Sequence, residues 1–547
     1  MTLIWLMIAC APTLTLPRRE DDPNDDWDGD GLTENEGDCN DGDATVTNTL
    51  YYADADGDGY GAMPPTDSLD SASEIVSITA CVQPVHFAGS HDDCDDYNAA
   101  VHPHAQEICG NGIDDNCDND AQCDVPATSA TPLVAASAGD LAGAALASWT
   151  DLQGVENLLV GAPGAGAVFI VPVSGAGALV NLEAAPSVLQ SGGIGDEFGK
   201  SVAVFDPGTG VDTFLVGGPG RDGGPGGAWL YSSASLPGVV VAPSASWTGA
   251  AYEHAGSQVT SIQSATGRDA VIASMGDDTH AGAVYIVPSA PNHDENLKSA
   301  AIFTVLMDAP GEHPAVAGLS DGLGDSLFVG VASLGTVYEY STNPPFQGQA
   351  VPLVDAAEST LPGRASDAFG TTVVAIGDVN GDGYDDIAVG APDSDDGSMD
   401  HGSIGVVAVY AGAFEAPVLP EPLVRITGAD AHTHLGASIA PAGRPTDSLY
   451  AAFIIGAGAT DCDSTPDPAA AWLVEGPYPA AGATISIGDQ TAGNLTGFAR
   501  GTDPCGGLGT AVAGDTQGAG WVAAGDAVDG SDGRGELLLF PGPWSGS

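Results

Sequence analysis

Seven short apolar runs recur along most of the chain at a near-constant interval, and that period governs what the chain can fold into. They are LLVGAP from 158, FLVGGP from 214, AVIASM from 270, LFVGV from 327, IAVGAP from 387, FIIGAG from 453 and WVAAGD from 521. Their spacings are 56, 56, 57, 60, 66 and 68 residues. Each run is followed by a second apolar strand ending near an aromatic residue or proline, such as AVFIVP, AVYIVP or VVAVY. Glycine turns precede most of them: Phe198-Gly199, Ala255-Gly256, Phe369-Gly370, Leu435-Gly436 and Leu508-Gly509. A unit with one apolar face cannot bury it alone, so neighbours must stack. Four short strands per unit, seven times over, predict an all-β fold: a seven-bladed β-propeller over residues 130–547. Units begin with an outer strand, as at 246–249 and 423–428, and the last unit ends after its third strand at Phe540. The segment 132–138 is therefore expected to pair with 536–540 and close the circle.

Charge divides the chain in two. The 547 residues carry 11 Lys+Arg against 74 Asp+Glu, a net charge of −63. So few cations cannot build the basic face a nucleic acid requires, which excludes nucleic-acid partners. No 18-residue apolar run is present, which excludes a polytopic helical membrane protein. Between Glu20 and Asp124 there are 28 acids and no Lys or Arg. Residues 20–125 thus form a separate acidic module, dominated by loops and too poor in apolar residues to fold without staples.

Two copies of one pattern lie in that module. The first is Asp26-Trp-Asp28-Gly-Asp30-Gly31, followed by Asp38-Cys39-Asn40-Asp41. The second is Asp54-Ala-Asp56-Gly-Asp58-Gly59, followed by Asp93-Cys94-Asp95-Asp96. Oxygen ligands at alternate positions with a glycine at the sharp turn suit a hard cation, Ca²⁺ above all. Carboxylates about 5 Å apart repel by roughly 3 kcal/mol per pair at an effective dielectric near 20, so a loop that gathers three of them needs a cation. Position twelve holds Gly37 or Pro65 rather than Glu, so neither loop is an EF-hand. A remote carboxylate, from the DCDD box at 93–96, is expected to complete the shell. His102 and His104 offer copper or zinc a rival site if they share a strand face.

Nine cysteines stand at 10, 39, 81, 94, 109, 117, 123, 462 and 505. Their number and crowding point to an exported, disulfide-bonded protein. The expected pairs are Cys81–Cys94, Cys109–Cys117, Cys39–Cys123 by elimination, and Cys462–Cys505. No CxxC occurs, which argues against a thiolate zinc site. The opening residues 1–10, MTLIWLMIAC, resemble a bacterial signal with a lipobox, which implies lipidation at Cys10.

Two resemblances to known families follow from these residues. YYADADGDGYG (51–61), CVQP (81–84), HDDCDDYNAAVHP (91–103) and EICGNGIDDNCDND (107–120) resemble the MopE-type metal-binding motif of bacterial surface proteins. That family's name suggests copper; the oxygen-rich boxes here favour calcium. The repeat units resemble FG-GAP repeats, as in the head of integrin α subunits. By that resemblance, the loop in the fifth unit binds Ca²⁺ through side chains of Asp378, Asn380, Asp382 and Asp386, and through the Tyr384 carbonyl.

No HExxH, GxSxG, P-loop or dinucleotide-binding glycine set is present, so no catalytic residues are expected. The pair His432 and His434 falls where other units place their turn and reads as part of it. The resulting expectation is a secreted, lipid-anchored outer-membrane or cell-surface protein, monomeric and non-enzymatic. Its propeller face would meet a protein or glycan partner in adhesion. The alternative is acquisition or storage of copper or calcium by the acidic module.

Overall fold

In the computed structural model the described residues are 24, 29, 33, 39, 49–62, 77–99, 101–103, 117, 131–134, 137, 139–151, 153–173, 182, 185–191, 196–205, 211–220, 224–236, 241–264, 267–289, 294–320, 325–341, 349–395, 403–412, 421–428, 433–444, 448–457, 471–476, 482–487, 495–498, 509–514, 521–526 and 536–541. The chain divides into two compact units. One comprises Met1–Glu107 with Ile113–Ala121, the other Ile108–Gly112 with Gln122–Ser547.

The larger unit is all-β and propeller-like. Its described strands form seven sheets of four or five strands. The fifth sheet shows the plan: Thr372–Gly377, Asp386–Ala391, Val406–Tyr410 and Val424–Thr427 run antiparallel from the inside outward. Every residue of the second strand, DIAVGA, is buried, because that strand is covered on both faces. The apolar runs that set the sequence period are the second strands of the seven sheets: Glu156–Ala162, Thr213–Gly218, Gly267–Asp277, Asp325–Val331, Asp386–Ala391, Ala452–Ala457 and Trp521–Asp526.

Each sheet shares an apolar cluster with the next. Trp149, Ile170 and Leu189 of the first pack with Phe198, Phe214 and Tyr231 of the second. At the other end, Leu158, Val160 and Phe169 of the first sheet pack with Ala513, Ala523 and Leu537 of the last. The outermost strand of that last sheet is Thr131–Val134, antiparallel to Glu536–Pro541 with Leu133 opposite Leu537. This is the pairing expected from the missing fourth strand. Residues from the innermost strands of all seven sheets line one cavity of about 810 Å³.

The glycine turns now have a physical reason. Gly143, Gly199, Gly256, Gly370, Gly436 and Gly509 all have φ between +85° and +95°. That conformation turns each glycine's own carbonyl against the second-strand glycine of the preceding sheet. A Cβ on Gly390 would overlap the Gly436 carbonyl, and one on Gly525 would overlap that of Gly143. Two glycines thus meet at each such interface, and the repeat spells both of them. In the third sheet Ala273 takes the second-strand place, and the following sheet begins at Pro314 without the turn.

A feature absent from the sequence reading ties several sheets together. Asp294–Asn296 adds a parallel fifth strand to Ala245–Thr248, Gln349–Pro352 to Phe303–Pro310, and Ala483–Ser486 to Val424–Thr427. Each is donated by the connection between the third and fourth strands of the following sheet. The donor sheet therefore grips its predecessor by main-chain hydrogen bonds as well as by side-chain packing.

The smaller unit has a three-stranded sheet with Thr49–Ala53 in the centre, Ser77–Ala80 on one edge and Phe87–Ala88 on the other. Ala88 and Val101 are its buried apolar residues among those described. Two disulfides brace it, Cys39–Cys81 and Cys94–Cys117. This corrects the expected pairs Cys81–Cys94, Cys109–Cys117 and Cys39–Cys123. The reason is the strand order: Cys81 leaves the sheet at one edge, whereas the chain returns along the other edge before Cys94. Closing loops of this length contributes about 3–4 kcal/mol each, in place of a core. Cys10, Cys109, Cys123, Cys462 and Cys505 lie outside the described residues, as does the segment 1–10.

Candidate metal centres

Two loops, one in each unit, are wired alike. In the smaller unit Asp54 Oδ1 accepts from the Gly57 amide at 2.6 Å and Oδ2 from the Gly59 amide at 3.1 Å. Asp56 Oδ1 accepts from Asp58 N at 3.2 Å, and Asp58 Oδ1 from Tyr60 N at 2.8 Å. In the propeller Asp378 accepts from Gly381 N at 2.6 Å and from Gly383 N at 3.0 Å. Asn380 Oδ1 accepts from Asp382 N at 2.8 Å, and Asp382 Oδ1 from Tyr384 N at 2.9 Å. Both wirings need the fourth and sixth residues at positive φ: +86° and +101° for Gly57 and Gly59, +82° and +92° for Gly381 and Gly383. The spacing D-x-[DN]-G-D-G is the sequence form of that geometry. It turns three side chains inward: Asp54, Asp56 and Asp58 each offer an oxygen within 4.8 Å of the others.

A buried acid stands behind each loop. In the propeller it is Asp386, eight residues after Asp378 and fully buried at the start of its strand. Its Oδ2 accepts from Val379 N at 2.9 Å, and its Oδ1 from Gly412 N and the Asn380 amide, both at 3.1 Å. Burial pushes its carboxyl up to about 7, with the charges of Asp382 and Asp378 adding to the rise. In the smaller unit the residue eight after Asp54 is Ala62, which carries no ligand. There the chain returns instead: Asp93 N donates to Gly61 O at 3.0 Å, and Asp93 bridges Ala62 in parallel. Asp93, 1% exposed, so fills the role that Asp386 fills. Burial pushes its carboxyl up to about 6, reinforced by Asp58, Asp56 and Asp96.

The donor set has the character of a cation site. Asp56 Oδ2, Asp58 Oδ2 and Asp93 Oδ2 are buried and have no hydrogen-bond partner. Burial also raises the Asp56 carboxyl, with like charge from Asp58, Asp54 and Asp96. Inward-facing carboxylate oxygens without donors are costly unless a cation meets them. Asp96 Oδ1 accepts from Ala55 N at 2.9 Å and so belongs to the cluster, whereas Asp95 is exposed and contributes only its amide, donated to Asp93 at 2.9 Å. The box at 93–96 thus lies against the loop through its first and last acids, Asp93 at the Gly61 carbonyl and Asp96 at the Ala55 amide. Arg444 lies 3.6 Å from Asp378 on the rim of the propeller loop.

Other sequence candidates are placed differently. Asp26, Asp28, Asp30, Asp38 and Asp41 of the first copy lie outside the described residues. Cys94 and Cys117 approach Asp93, but they are joined as a disulfide and offer no thiolate. His91 stacks on Tyr52 at 4.4 Å and His102 on Tyr60 at 5.0 Å; no histidine enters a ligand cluster among the described residues. His434, at φ 46°, belongs to the turn before Gly436 and faces Asp393 at 3.3 Å. Its counterparts Leu141, Glu197, His254 and Ala368 share that left-handed conformation, which sequence reasoning missed because no single side chain marks it.

Comparison with known proteins reaches parts of both units. Residues 38–51 and 93–122 match the Cu-binding MopE family model, described as "Putative metal-binding motif". Residues 369–410 match the FG-GAP repeat model. A solved structure titled "Structure of Dos1 propeller" is similar at 10% identity, over 73% of this chain and 83% of that one, with a TM-score of 0.36. At that score the likeness adds nothing to the sheets already described. No curated protein matches the chain.

Proposed function

We propose that this is a calcium-binding surface protein in which an acidic module and a propeller are each made rigid by Ca²⁺. The observation that carries the reading is the shared wiring of the loops at 54–60 and 378–384, each backed by a buried acid. All-oxygen donor sets at this spacing favour Ca²⁺ over softer ions. With extracellular calcium near 1 mM and a dissociation constant of about 0.1–1 mM, each site adds roughly 0.4–1.4 kcal/mol. That suffices to order a loop but not to support a whole propeller, whose stability must come from the packed sheets.

The remaining parts of the reading follow from sequence and fold. Packing of the first described sheet against the last supports reading the seven sheets as a closed ring. A ring without a catalytic constellation in its sequence suits binding, here adhesion to a protein or glycan. Export and lipidation at Cys10 would hold the protein at the cell surface as a monomer. Isothermal titration of the EDTA-stripped full chain tests the metal reading. Calcium should fill at least two sites at submillimolar affinity while Cu²⁺ binds weakly. Tight copper binding with little calcium heat would overturn it in favour of copper storage. Recovery of an envelope partner that EDTA releases tests the adhesive role; a partner profile indifferent to calcium counts against it.

A further inference from the structure

We propose that a cavity between the first and second sheets is a binding site for a neutral pyranose sugar. It measures about 410 Å³ and lies against the turn that joins the first two strands of the first sheet. Its wall includes Trp149, Asp151, Gln153, Asn157, Ser187 and Leu236.

The turn is held rigid from within. Asp151 Oδ1 accepts from Gln153 N at 2.9 Å and Val155 N at 2.8 Å, and Asn157 Nδ2 donates to Val155 O at 2.8 Å. These bonds consume one atom of each side chain and leave the other. Asp151 Oδ2, Asn157 Oδ1 and the Gln153 amide make no hydrogen bond among the described residues. Asn157 is only 6% exposed and lines the cavity, where its Oδ1 has no partner among the described residues. Such a group calls for a ligand or water with a donor. Trp149 is fixed as well: its Nε1 donates to Asp212 Oδ2 at 2.7 Å, and its ring packs edge-on to Phe214 at 5.0 Å. With its polar atom engaged, the indole can offer only apolar surface to an occupant.

This combination selects the ligand. A pyranose presents C–H faces that pack on indole and Leu236, and hydroxyls that both donate and accept. Carboxylate and amide side chains pair with such hydroxyls. An anionic sugar or phosphate is disfavoured, since no Lys or Arg lines the wall while Asp151 does. An organic cation would call for several open aromatic faces, and only one aromatic residue is present. A metal ion is too small for a cavity of this volume with one carboxylate. The size suits one or two sugar rings. The site does not depend on either cation loop.

The test is ligand-observed saturation-transfer NMR and calorimetry on the full chain. Glucose, galactose, mannose, N-acetylglucosamine and their disaccharides are compared with glucuronate, choline and Ca²⁺, in calcium and in EDTA. At least one neutral sugar should bind at millimolar or better affinity and change Trp fluorescence, in both buffers. Asp151→Asn should weaken it about tenfold and the exposed Gln153→Ala several-fold, with unchanged thermal unfolding. The proposal is overturned if no neutral sugar binds at 20-fold above about 1 mM. It is equally overturned if both variants bind as the parent does, or if they alter choline or Ca²⁺ binding instead. Failure here would leave the calcium titration unaffected, so the two readings fall separately.

Discussion

Replacing Asp93 by Asn should change stability in opposite directions with and without calcium. Without a cation, Asp93 must ionise beside Asp56, Asp58 and Asp96 in a buried place, which is why its carboxyl rises from 3.8 to about 6. A raised carboxyl means that the folded state resists ionisation. Apo stability from this group is therefore full below pH 4 and lost as pH rises to 6 and beyond. The displacement corresponds to on the order of 3 kcal/mol at neutral pH, and about 1–3 kcal/mol after allowing for the loop's wet rim. In Asp93→Asn the amide oxygen can still accept from Asp95 N, while the amide nitrogen stands where Oδ2 now lacks a partner. It can donate to the facing carboxylates. At pH 7 in EDTA the variant should therefore protect the amides of 51–62 from hydrogen exchange about 5- to 100-fold better than the parent. In 5 mM calcium the order should reverse, because a ligand is gone and affinity should fall at least tenfold. Slower exchange in the variant under both conditions, or faster under both, would refute the view that Asp93 is a cation ligand.

The propeller loop carries its own pH signature. With Asp386 raised to about 7, the EDTA-treated protein should lose up to about 4 kcal/mol between pH 4 and pH 7, a loss that calcium abolishes. The gap between calcium and EDTA unfolding midpoints should widen across that window, and a constant gap would contradict it. Gly390→Ala should cost about 2–4 kcal/mol by denaturant unfolding, since its Cβ meets the Gly436 carbonyl and neither main chain can yield. A neutral result would dismiss the glycine contact as a constraint. Deleting residues 130–140 removes the strand paired with Glu536–Pro541 and should lower both the denaturant midpoint and its slope; unchanged values would count against closure through that strand.

What the sequence reveals and what it hides differ in physical kind. The second strands are legible because they are covered on both faces and hence apolar throughout. The cation loops are legible because alternate acids between glycines have few other uses. Ala142-Gly143 escapes notice although Gly143 has a φ of +85°, like the turns that are legible. The last apolar run is displaced by one residue: Gly525, not its neighbour, corresponds to Gly390, as its overlap with the Gly143 carbonyl shows. The parallel straps are three or four residues long and carry no periodicity. The disulfides depend on which edge of a three-stranded sheet each cysteine leaves, and spacing alone carries no record of that.

One position links the cation loop to the rest of the ring. Four residues before the second-strand glycine, or before Ala273 in the third sheet, stand Asn157, Thr213, Asp269, Ser326 and Asp386 in the first five sheets. Four of these five, all but Ser326, are buried polar residues in a place flanked by apolar ones. Propensity for a covered strand would favour Val or Ile there. A polar side chain persists because the connection entering the strand must have its main-chain donors satisfied, as Asp386 satisfies Val379 and Gly412. The sixth sheet carries Ala452 instead and forgoes that option. Thr213 shows what is left when the loop is lost but the polar residue stays: its Oγ1 is buried without a partner, at a cost of about 1–3 kcal/mol. In the first sheet the same position has Asn157, whose side chain lines a cavity rather than a loop. The sheets therefore repeat one polar place, which stands behind the candidate cation loop in the fifth sheet and lines the proposed sugar cavity in the first.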